Sequence, residues 1–185
     1  GRRWQSPFAA NIYLSLRYSA AGGFSTLGGL SLVVGAVVAD ALVALDPCLP
    51  VTIKWPNDVR MGEKKIGGIL IESSLAEEGA GNFSIVGMGV NVGWPALSDD
   101  APPGATSLSA AGHMIDRAEL LESVLARFEA RLTDLEAPDG PERLRLAHLE
   151  RSATVGVEVR VDMPDGPVTG TAVGLALDGS LLVDS

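Results

Sequence analysis

The chain has 185 residues, of which 46% are hydrophobic, and a mean hydropathy of +0.25. This length and composition suffice for one good-sized domain, or for one domain with a small appendage, and they exclude a disordered chain. The formal net charge of −9 argues against general binding of nucleic acid or anionic membranes, which requires a cationic surface. A single cysteine, Cys48, excludes an internal disulfide and fits a reducing, cytoplasmic compartment, and two scattered histidines cannot assemble a zinc ligand set.

The first part of the chain predicts a strand followed by a buried helix. Apolar residues alternate in Asn11–Tyr18, which is the period of a strand. Ser25 or Thr26 is suited to cap a following helix that extends to about Ala44. The apolar stretch Leu27–Leu45 is long enough to suggest a membrane span, but a carboxylate and three glycines interrupt it. We therefore expect a buried helix and no membrane contact.

Two lysines, a carboxylate and a glycine pair are concentrated in the next segment. A strand at Val51–Ile53 leads into Lys54–Asp58, and Lys65–Gly68 leads into an apolar strand from Ile69 to Ser73. Ammonium groups beside bare backbone suit a phosphate, and a neighbouring carboxylate can hold the magnesium that accompanies a nucleotide. The alternative is a plain hairpin in which the lysines face solvent and the glycines permit a bulge.

A second glycine-bearing strand follows. Phe83–Val86 predicts a strand that runs into Gly87-Met88-Gly89-Val90-Asn91. Glycines spaced by two let a ligand lie against the backbone, and Asn91 offers a donor and an acceptor to a heterocycle. Tight packing of the two glycines explains the pattern nearly as well. Residues 94–104 are rich in proline and aspartate and predict a mobile surface loop.

Two helices are predicted in the second half of the chain. Asp116 is suited to cap the first, because Glu119 follows it by three residues. The apolar residues at helical spacing predict a stripe that faces the core, namely Leu121, Val124, Leu125, Phe128 and Leu132. A shorter helix is expected over Glu142–Arg151.

The last part of the chain predicts a small antiparallel meander. Valines alternate with polar residues from Val155 to Val161, and Asp165-Gly166 and Asp178-Gly179 are turn pairs. Some thirty residues are too few for an independent sheet, so this module must pack on the rest of the chain. We place a domain boundary near Arg151, with residues 1–150 as a core domain and residues 151–185 as a partial second domain.

With these segments in order, the chain resembles the biotin–protein ligases. The matching blocks are Gly1–Pro7, Asn11–Ser15, Lys54–Asp58, Lys65–Glu72, Gly87–Asn91 and Ala105–Leu108. Several spaced blocks in the correct order are far more specific than any one block. The resemblance implies an α/β (α+β) fold in which helices flank a mixed or antiparallel central sheet, as in class II aminoacyl-tRNA synthetases and biotin synthetase. The β-rich tail resembles the start of the family's SH3-like C-terminal domain.

The resemblance implies an ATP-dependent biotin–[acetyl-CoA-carboxylase] ligase. In that reaction biotin and ATP form biotinyl-5′-adenylate and pyrophosphate, and a lysine of a biotin carboxyl carrier protein domain then takes the biotin. Cations must offset the repulsion between the biotin carboxylate and the triphosphate. ATP and Mg²⁺ are thus the implied cofactors, and biotin and the carrier domain are the implied partners. Ligases of this kind often pair through sheet edges, so a homodimer is a further expectation.

The resemblance also assigns roles to particular residues. The implied catalytic residues are Lys65, Arg2 and Asp58. The implied biotin-binding residues are Gly1, Arg2, Trp4, Lys65, Gly68, Ile69 and Gly87. The implied ATP-binding and adenylate-binding residues are Lys54, Asn57, Asp58, Lys65, Asn91 and Trp94, and Asp58 is the implied magnesium ligand. Arg117 and Arg151 recur in the family near the nucleotide.

The chain departs from the family pattern at both ends. It begins at Gly1-Arg2 without a methionine, and only the last two residues of the family's glycine–arginine loop are present. The preceding helix, with its Ser-Thr-Asn contact to biotin, and any winged-helix DNA-binding domain would lie upstream. The SH3-like domain stops short at the other end. We therefore expect that part of the natural protein is absent.

Two alternative functions remain open. A lipoate–protein ligase or octanoyltransferase has the same fold and uses a lysine near a Gly-Gly turn. Those families generally place small polar residues after this block, whereas Ile69-Leu70-Ile71 is apolar. The other alternative is a catalytically inert biotin-binding fragment.

Overall fold

A computed structural model describes residues 8–19, 29–74, 83–93, 103–135 and 137–185. Within these residues the chain forms two sheets and three α-helices. The strands of the first sheet are β1 (Ile12–Tyr18), β2 (Val51–Lys54), β3 (Asp58–Met61), β4 (Lys64–Ser74) and β5 (Phe83–Val90). The helices are α1 (Leu30–Leu45), α2 (Arg117–Leu135) and α3 (Gly140–Leu149). The strands of the second sheet are β6 (Glu158–Met163), β7 (Gly166–Leu175) and β8 (Leu181–Asp184).

The first sheet has one covered face and one open face. Its strands have the order β1-β5-β4-β3-β2, and every neighbouring pair is antiparallel. Helix α1 packs on one face, where a Cβ atom added to Gly35 would lie 3.3 Å from the side chain of Ile53. The opposite face carries Tyr13 and Leu70, which are 51% and 61% exposed. No described helix covers this opposite face, which we call the open face.

Helix α1 is the predicted buried helix. It is buried almost all round, because the sheet lies on one side of it and helices α2 and α3 pack on the other. The helix begins at Leu30 with Gly29 as N-cap and without a side-chain cap. The predicted capping residues, Ser25 and Thr26, lie outside the described residues. None of the described helices has the length and apolar character needed to cross a membrane.

The starts of α2 and α3 show how local sequence sets a helix boundary. Asp116 Oδ1 accepts hydrogen bonds from the amides of Ala118 at 2.7 Å and Glu119 at 3.2 Å, so the predicted cap is confirmed. Helix α3 begins at Gly140, two residues before the predicted start. Pro141 is tolerated there because the first turn of a helix leaves its amide groups unpaired in any case.

The buried stripe of α2 is rotated from the predicted one. Leu120, Val124 and Phe128 are buried, and their spacing of four residues defines the line that faces the core. Leu125 is 41% exposed, so its assignment to the core was wrong. It lies about 100° around the helix from Val124, far enough to leave the stripe.

The second sheet is the predicted meander, with the order β6-β7-β8 and antiparallel pairing. Its first strand begins at Glu158 rather than Val155, and the first turn is Pro164-Asp165, one residue earlier than predicted. The second turn contains Gly179 with φ of +87°, a backbone conformation that favours glycine. The boundary near residue 151 stays a prediction.

His148 on α3 is a fully buried ionisable residue. Its side chain is 0% exposed, and neither ring nitrogen has a hydrogen-bond partner of normal geometry within the described residues. Burial lowers the pKa of His148 from its ordinary value of 6.5 and outweighs the opposing contribution of the Leu32 backbone on α1. At neutral pH the ring is therefore uncharged in the folded protein.

Replacing His148 with leucine should reduce the acid sensitivity of the fold. When the pH falls below about 6.5, the unfolded chain takes up a proton at this histidine that the folded chain does not, so the free energy of unfolding decreases. The slope for this group approaches about 1.4 kcal/mol per pH unit until the folded-state pKa is reached. Urea unfolding between about pH 7.5 and about pH 5.5 should show a weaker pH dependence for H148L. An equal pH dependence in both proteins would contradict this account.

Candidate functional site

A β-bulge in β4 decides which face Lys65 occupies. Val59 of β3 pairs with Gly67, but the next residue, Arg60, pairs with Lys65, so Ile66 is an extra residue. Paired residues of an antiparallel sheet lie on the same face, so Lys65 lies on the open face while Ile66 is fully buried. The bulge therefore brings an ammonium group to the open face. Strand β4 runs through the glycine pair without interruption, so the prediction that a strand resumes only after it was wrong.

Lys65 forms an ion pair with Asp58 of β3, between its Nζ and the Oδ1 of the carboxylate. The two side chains are 36% and 28% exposed, so the pair is partly shielded and still accessible from solvent. Asp58 lies in register with Lys54 of β2 on one side and with Gly68 of β4 on the other. Lys54 is exposed, and no described residue forms an ion pair with its ammonium group. Lys54, Lys65 and Asp58 thus share this end of the open face. Arg60 lies on the same face and is paired with Glu63, so one positive charge remains in excess.

Three glycines leave the neighbouring part of the open face without side chains. Gly68 of β4 lies opposite Gly89 of β5, and Gly87 lies opposite Leu70. Tyr13 of β1 lies on the other side of Gly89. We call Gly68, Gly87 and Gly89 the glycine floor. A ligand can approach glycine backbone more closely than the backbone of any other residue, so the floor suits a ligand whose charged end meets Lys65.

Asn57 fastens the start of β3 to β4. Its side-chain Nδ2 donates to the carbonyl of Ile69 at 2.8 Å, and its own carbonyl accepts from the amide of Ile69 at 2.9 Å. The side chain of Ile69 is buried against the core. Within the described residues, Asn57 and Ile69 therefore connect the start of β3, where Asp58 lies, to β4. Their predicted contacts with ATP and biotin stay predictions.

Asn91 places an unsatisfied acceptor at the end of β5. Its side chain is 3% exposed, and its Nδ2 donates to the carbonyl of Thr106 at 3.0 Å. Its Oδ1 is buried and has no hydrogen-bond partner within the described residues. A buried acceptor without a donor costs about 1–3 kcal/mol. A ligand that donates a hydrogen bond here would remove this penalty.

Residues 104–108, which we call the bracing segment, hold Lys65 and Asn91 together. The amide of Lys65 donates to the carbonyl of Gly104 at 2.8 Å, and the amide of Thr106 donates to the carbonyl of Lys65 at 2.9 Å. Leu108 then donates to the carbonyl of Asn91 at 3.0 Å. The sequence predicted a mobile surface loop up to residue 104, whereas the carbonyl of Gly104 accepts a hydrogen bond from Lys65. Residues 106–108 were given no role beyond their place among the family blocks, because backbone hydrogen bonds do not depend on residue type.

The comparisons with known proteins identify the family to which this chain belongs. The model of the biotin/lipoate A/B protein ligase family matches residues 28–150, and the model of the biotin protein ligase C terminal domain matches residues 154–185. The chain belongs to the biotin/lipoate A/B protein ligase family. The resemblance inferred from the sequence is therefore confirmed.

Individual relatives support the same assignment. The chain is 31% identical over 186 residues to the bifunctional ligase/repressor BirA of Salmonella typhimurium, a match that covers all of this chain and 57% of that protein. It is 32% identical over 191 residues to the biotin–[acetyl-CoA-carboxylase] ligase of Paracoccus denitrificans, covering 99% of this chain and 77% of that protein. The chain thus spans little more than half the length of the Salmonella relative.

A solved structure confirms the predicted fold class. The biotin protein ligase of Aquifex aeolicus, in complex with biotin and ATP, superposes with a TM-score of 0.80 at 31% identity. The match covers 99% of this chain and 75% of that one. The fold is therefore that of biotin protein ligases, with an antiparallel central sheet flanked by helices, as in class II aminoacyl-tRNA synthetases.

The described structure does not bring every residue implied by the family resemblance into this cluster. Gly1, Arg2, Trp4 and Trp94 lie outside the described residues. Arg117 is exposed at the start of α2. Arg151 pairs with Asp40 of α1 at 3.0 Å, which places it in the helical layer rather than on the open face. The described residues contain no group of three His, Cys, Asp or Glu side chains suited to a metal ion.

Two alanine substitutions should separate glycines that the fold requires from glycines that only keep the open face clear. A Cβ atom on Gly67 would lie 2.9 Å from the carbonyl oxygen of Gly89, where backbone cannot yield, so Gly67→Ala should lower stability by about 1–3 kcal/mol. A Cβ atom on Gly87 would lie 3.5 Å from its nearest neighbour, which is ordinary contact, so Gly87→Ala should change stability by less than about 0.5 kcal/mol. Urea unfolding measures both. Similar losses of unfolding free energy in the two variants would show that close packing also requires a glycine at position 87.

Proposed function

We propose that this chain carries an ATP-dependent biotin ligase activity, which activates biotin as biotinyl-5′-AMP and transfers it to a lysine of a biotin carboxyl carrier protein domain. One observation carries the proposal: the Lys65–Asp58 pair lies at the end of the glycine floor, on a face that no described helix covers. Membership in the ligase family supports it. The named relatives include a biotin–[acetyl-CoA-carboxylase] ligase, and the Aquifex ligase is bound to biotin and ATP.

The first step joins two anions. A carboxylate oxygen of biotin attacks the α-phosphorus of ATP, the new P–O bond forms, and the bond to pyrophosphate breaks. The ammonium groups of Lys65 and Lys54 offset the repulsion between carboxylate and triphosphate, and Lys65 stabilises the charge on the phosphorus as it reacts. The glycine floor holds the biotin rings against backbone and so keeps the two reactants together.

Asp58 has two roles in this proposal. Its Oδ1 holds the Lys65 ammonium in place before the substrates arrive. Its other carboxylate oxygen suits magnesium, because Mg²⁺ takes one or two carboxylates together with phosphate oxygens. Magnesium bound there with ATP would supply further positive charge to the triphosphate. Asp58 is the candidate ligand within the described residues.

The second step transfers the acyl group. The amine of the carrier lysine attacks the acyl carbon of the mixed anhydride, the C–O bond to phosphate breaks, and AMP leaves.

Asn91 Oδ1 is the candidate acceptor for the amino group of adenine, which would satisfy its missing hydrogen bond. The exposed Cys48, the single cysteine of the chain, fits a reaction in the reducing cytoplasm.

Removal of the Lys65 ammonium should weaken adenylate formation while leaving the fold intact. Pyrophosphate release from biotin and MgATP should fall by about 10²–10³-fold in Lys65→Ala, as for other single charge-stabilising donors. Lys64→Ala is the matched control, because the neighbouring lysine is exposed at the β3–β4 turn. Its rate should stay within about twofold of the wild type. Equal rates for Lys65→Ala and the wild type would remove Lys65 from the mechanism.

The same assay distinguishes the alternative functions. Wild-type protein that releases pyrophosphate with lipoate or octanoate, and not with biotin, would overturn the choice of substrate. Heat of biotin binding without pyrophosphate release would indicate an inert binding fragment. Labelling of a biotin carrier domain, and not of a lipoyl domain, is the expected result.

A further inference from the structure

The chain between α3 and the second sheet is paired with the edge of the first sheet. The amide of Ile53 on β2 donates to the carbonyl of Arg151 at 2.8 Å, and the amide of Ala153 donates back to the carbonyl of Ile53 at 2.8 Å. Ile53 and Ser152 form a parallel bridge. Residues 151–153 thus extend the first sheet beyond β2, next to the β2–β3 loop, which contains Trp55 and Asn57 and leads into Asp58.

Trp55 continues this contact into the second sheet. Its amide donates to Thr154 Oγ1 at 2.9 Å, and its indole Nε1 donates to the carbonyl of Gly179 at 2.9 Å. Both acceptors are well held. Thr154 is 5% exposed, and Gly179 is buried within the otherwise exposed β7–β8 turn, where its amide donates to the carbonyl of Ala176 at 3.0 Å. The second sheet and the segment just before it therefore offer Trp55 two fixed acceptors.

The other end of the same loop is held by the first sheet. Asn57 exchanges two hydrogen bonds with Ile69 of β4. The residues that precede Asp58 are thus tied at Trp55 to the second sheet and at Asn57 to β4. Asp58 comes next in the chain, and its carboxylate in turn holds Lys65.

We propose that Trp55 is a positioning residue of the ligase reaction, through which the second sheet fixes Asp58 and, by way of the ion pair, Lys65. The inference rests on the proposed function. Trp55 acts through its amide, which binds Thr154 just before the second sheet, and through its indole N–H, which binds Gly179 in the β7–β8 turn. Loss of either bond lets the loop move, which displaces the Asp58 carboxylate from Lys65 and from the phosphates. The glycine floor is built on β4 and β5 and does not depend on this loop.

Trp55→Phe and Thr154→Val test the inference, since each removes one hydrogen bond. Valine keeps the shape of threonine, and phenylalanine keeps an aromatic ring, although it is smaller than indole. Kinetics of pyrophosphate release should show a rise of about threefold to tenfold in the KM for ATP in each variant. The KM for biotin should change by less than about twofold, because the glycine floor that holds the biotin rings does not depend on this loop. Partial unfolding would instead lower kcat in proportion to the folded fraction and leave both KM values unchanged. Thr171→Val is the matched control in the same sheet, since its hydroxyl contacts only Glu158 among the described residues and should leave both parameters unchanged.

Amide hydrogen exchange provides a readout that does not depend on activity. Exchange at Trp55, Asn57 and Asp58 should be about threefold to tenfold faster in Trp55→Phe and Thr154→Val than in the wild type, and unchanged in Thr171→Val. Unchanged exchange at these three residues would overturn the role of Trp55, whether or not the wild type is active. Wild-type kinetics in both variants, or a lower kcat with both KM values unchanged, would overturn it as well. Absence of pyrophosphate release from the wild type would instead count against the proposed function.

Discussion

The extra residue at Ile66 is the constraint on which the site depends. Strict alternation along β4 would place Lys65 with the core residues and Ile66 on the open face. The bulge reverses this, so that Ile66 is buried and the Lys65 ammonium meets Asp58 on the neighbouring strand. A lysine buried beside α1 would have to lose its charge or break the core. The bulge therefore places Ile66 in the hydrophobic core and Lys65 in the charged cluster.

The glycines near the bulge, Gly67, Gly68 and Gly87, have two different functions. Gly67 faces the core at the bulge, and its missing side chain lets β4 approach the carbonyl of Gly89. Gly68 and Gly87 lie on the open face and leave it without side chains beside the Lys65–Asp58 pair. Two adjacent glycines in β4 therefore differ in function, one required by packing and one by access to the sheet.

Elements that depend on local patterns were predictable from the sequence. Alternation gave β1, Asp116 marked the start of α2, and the turn glycines gave the second sheet. The residue types of the cluster were predictable as well, because cations, a carboxylate and glycines together suit a phosphate. The family resemblance supplied the order of the blocks.

Features that depend on pairing or on the rotation of an element could not be predicted. The face that Lys65 occupies follows from a register shift in β4. Leu125 lies outside the core because the buried stripe of α2 is rotated slightly from the predicted one. Arg151 pairs with Asp40 because the end of α3 lies close to α1. The bracing segment holds Lys65 by backbone bonds alone, and these are independent of residue type.

The most direct test of this account is a crystal structure of the chain with biotin and a non-hydrolysable ATP analogue. The account predicts biotin against Gly68 and Gly87, with its carboxylate and the α-phosphate both within about 3 Å of Lys65 Nζ. Ligands bound elsewhere, with the Lys65–Asp58 pair undisturbed and the glycine floor empty, would contradict it.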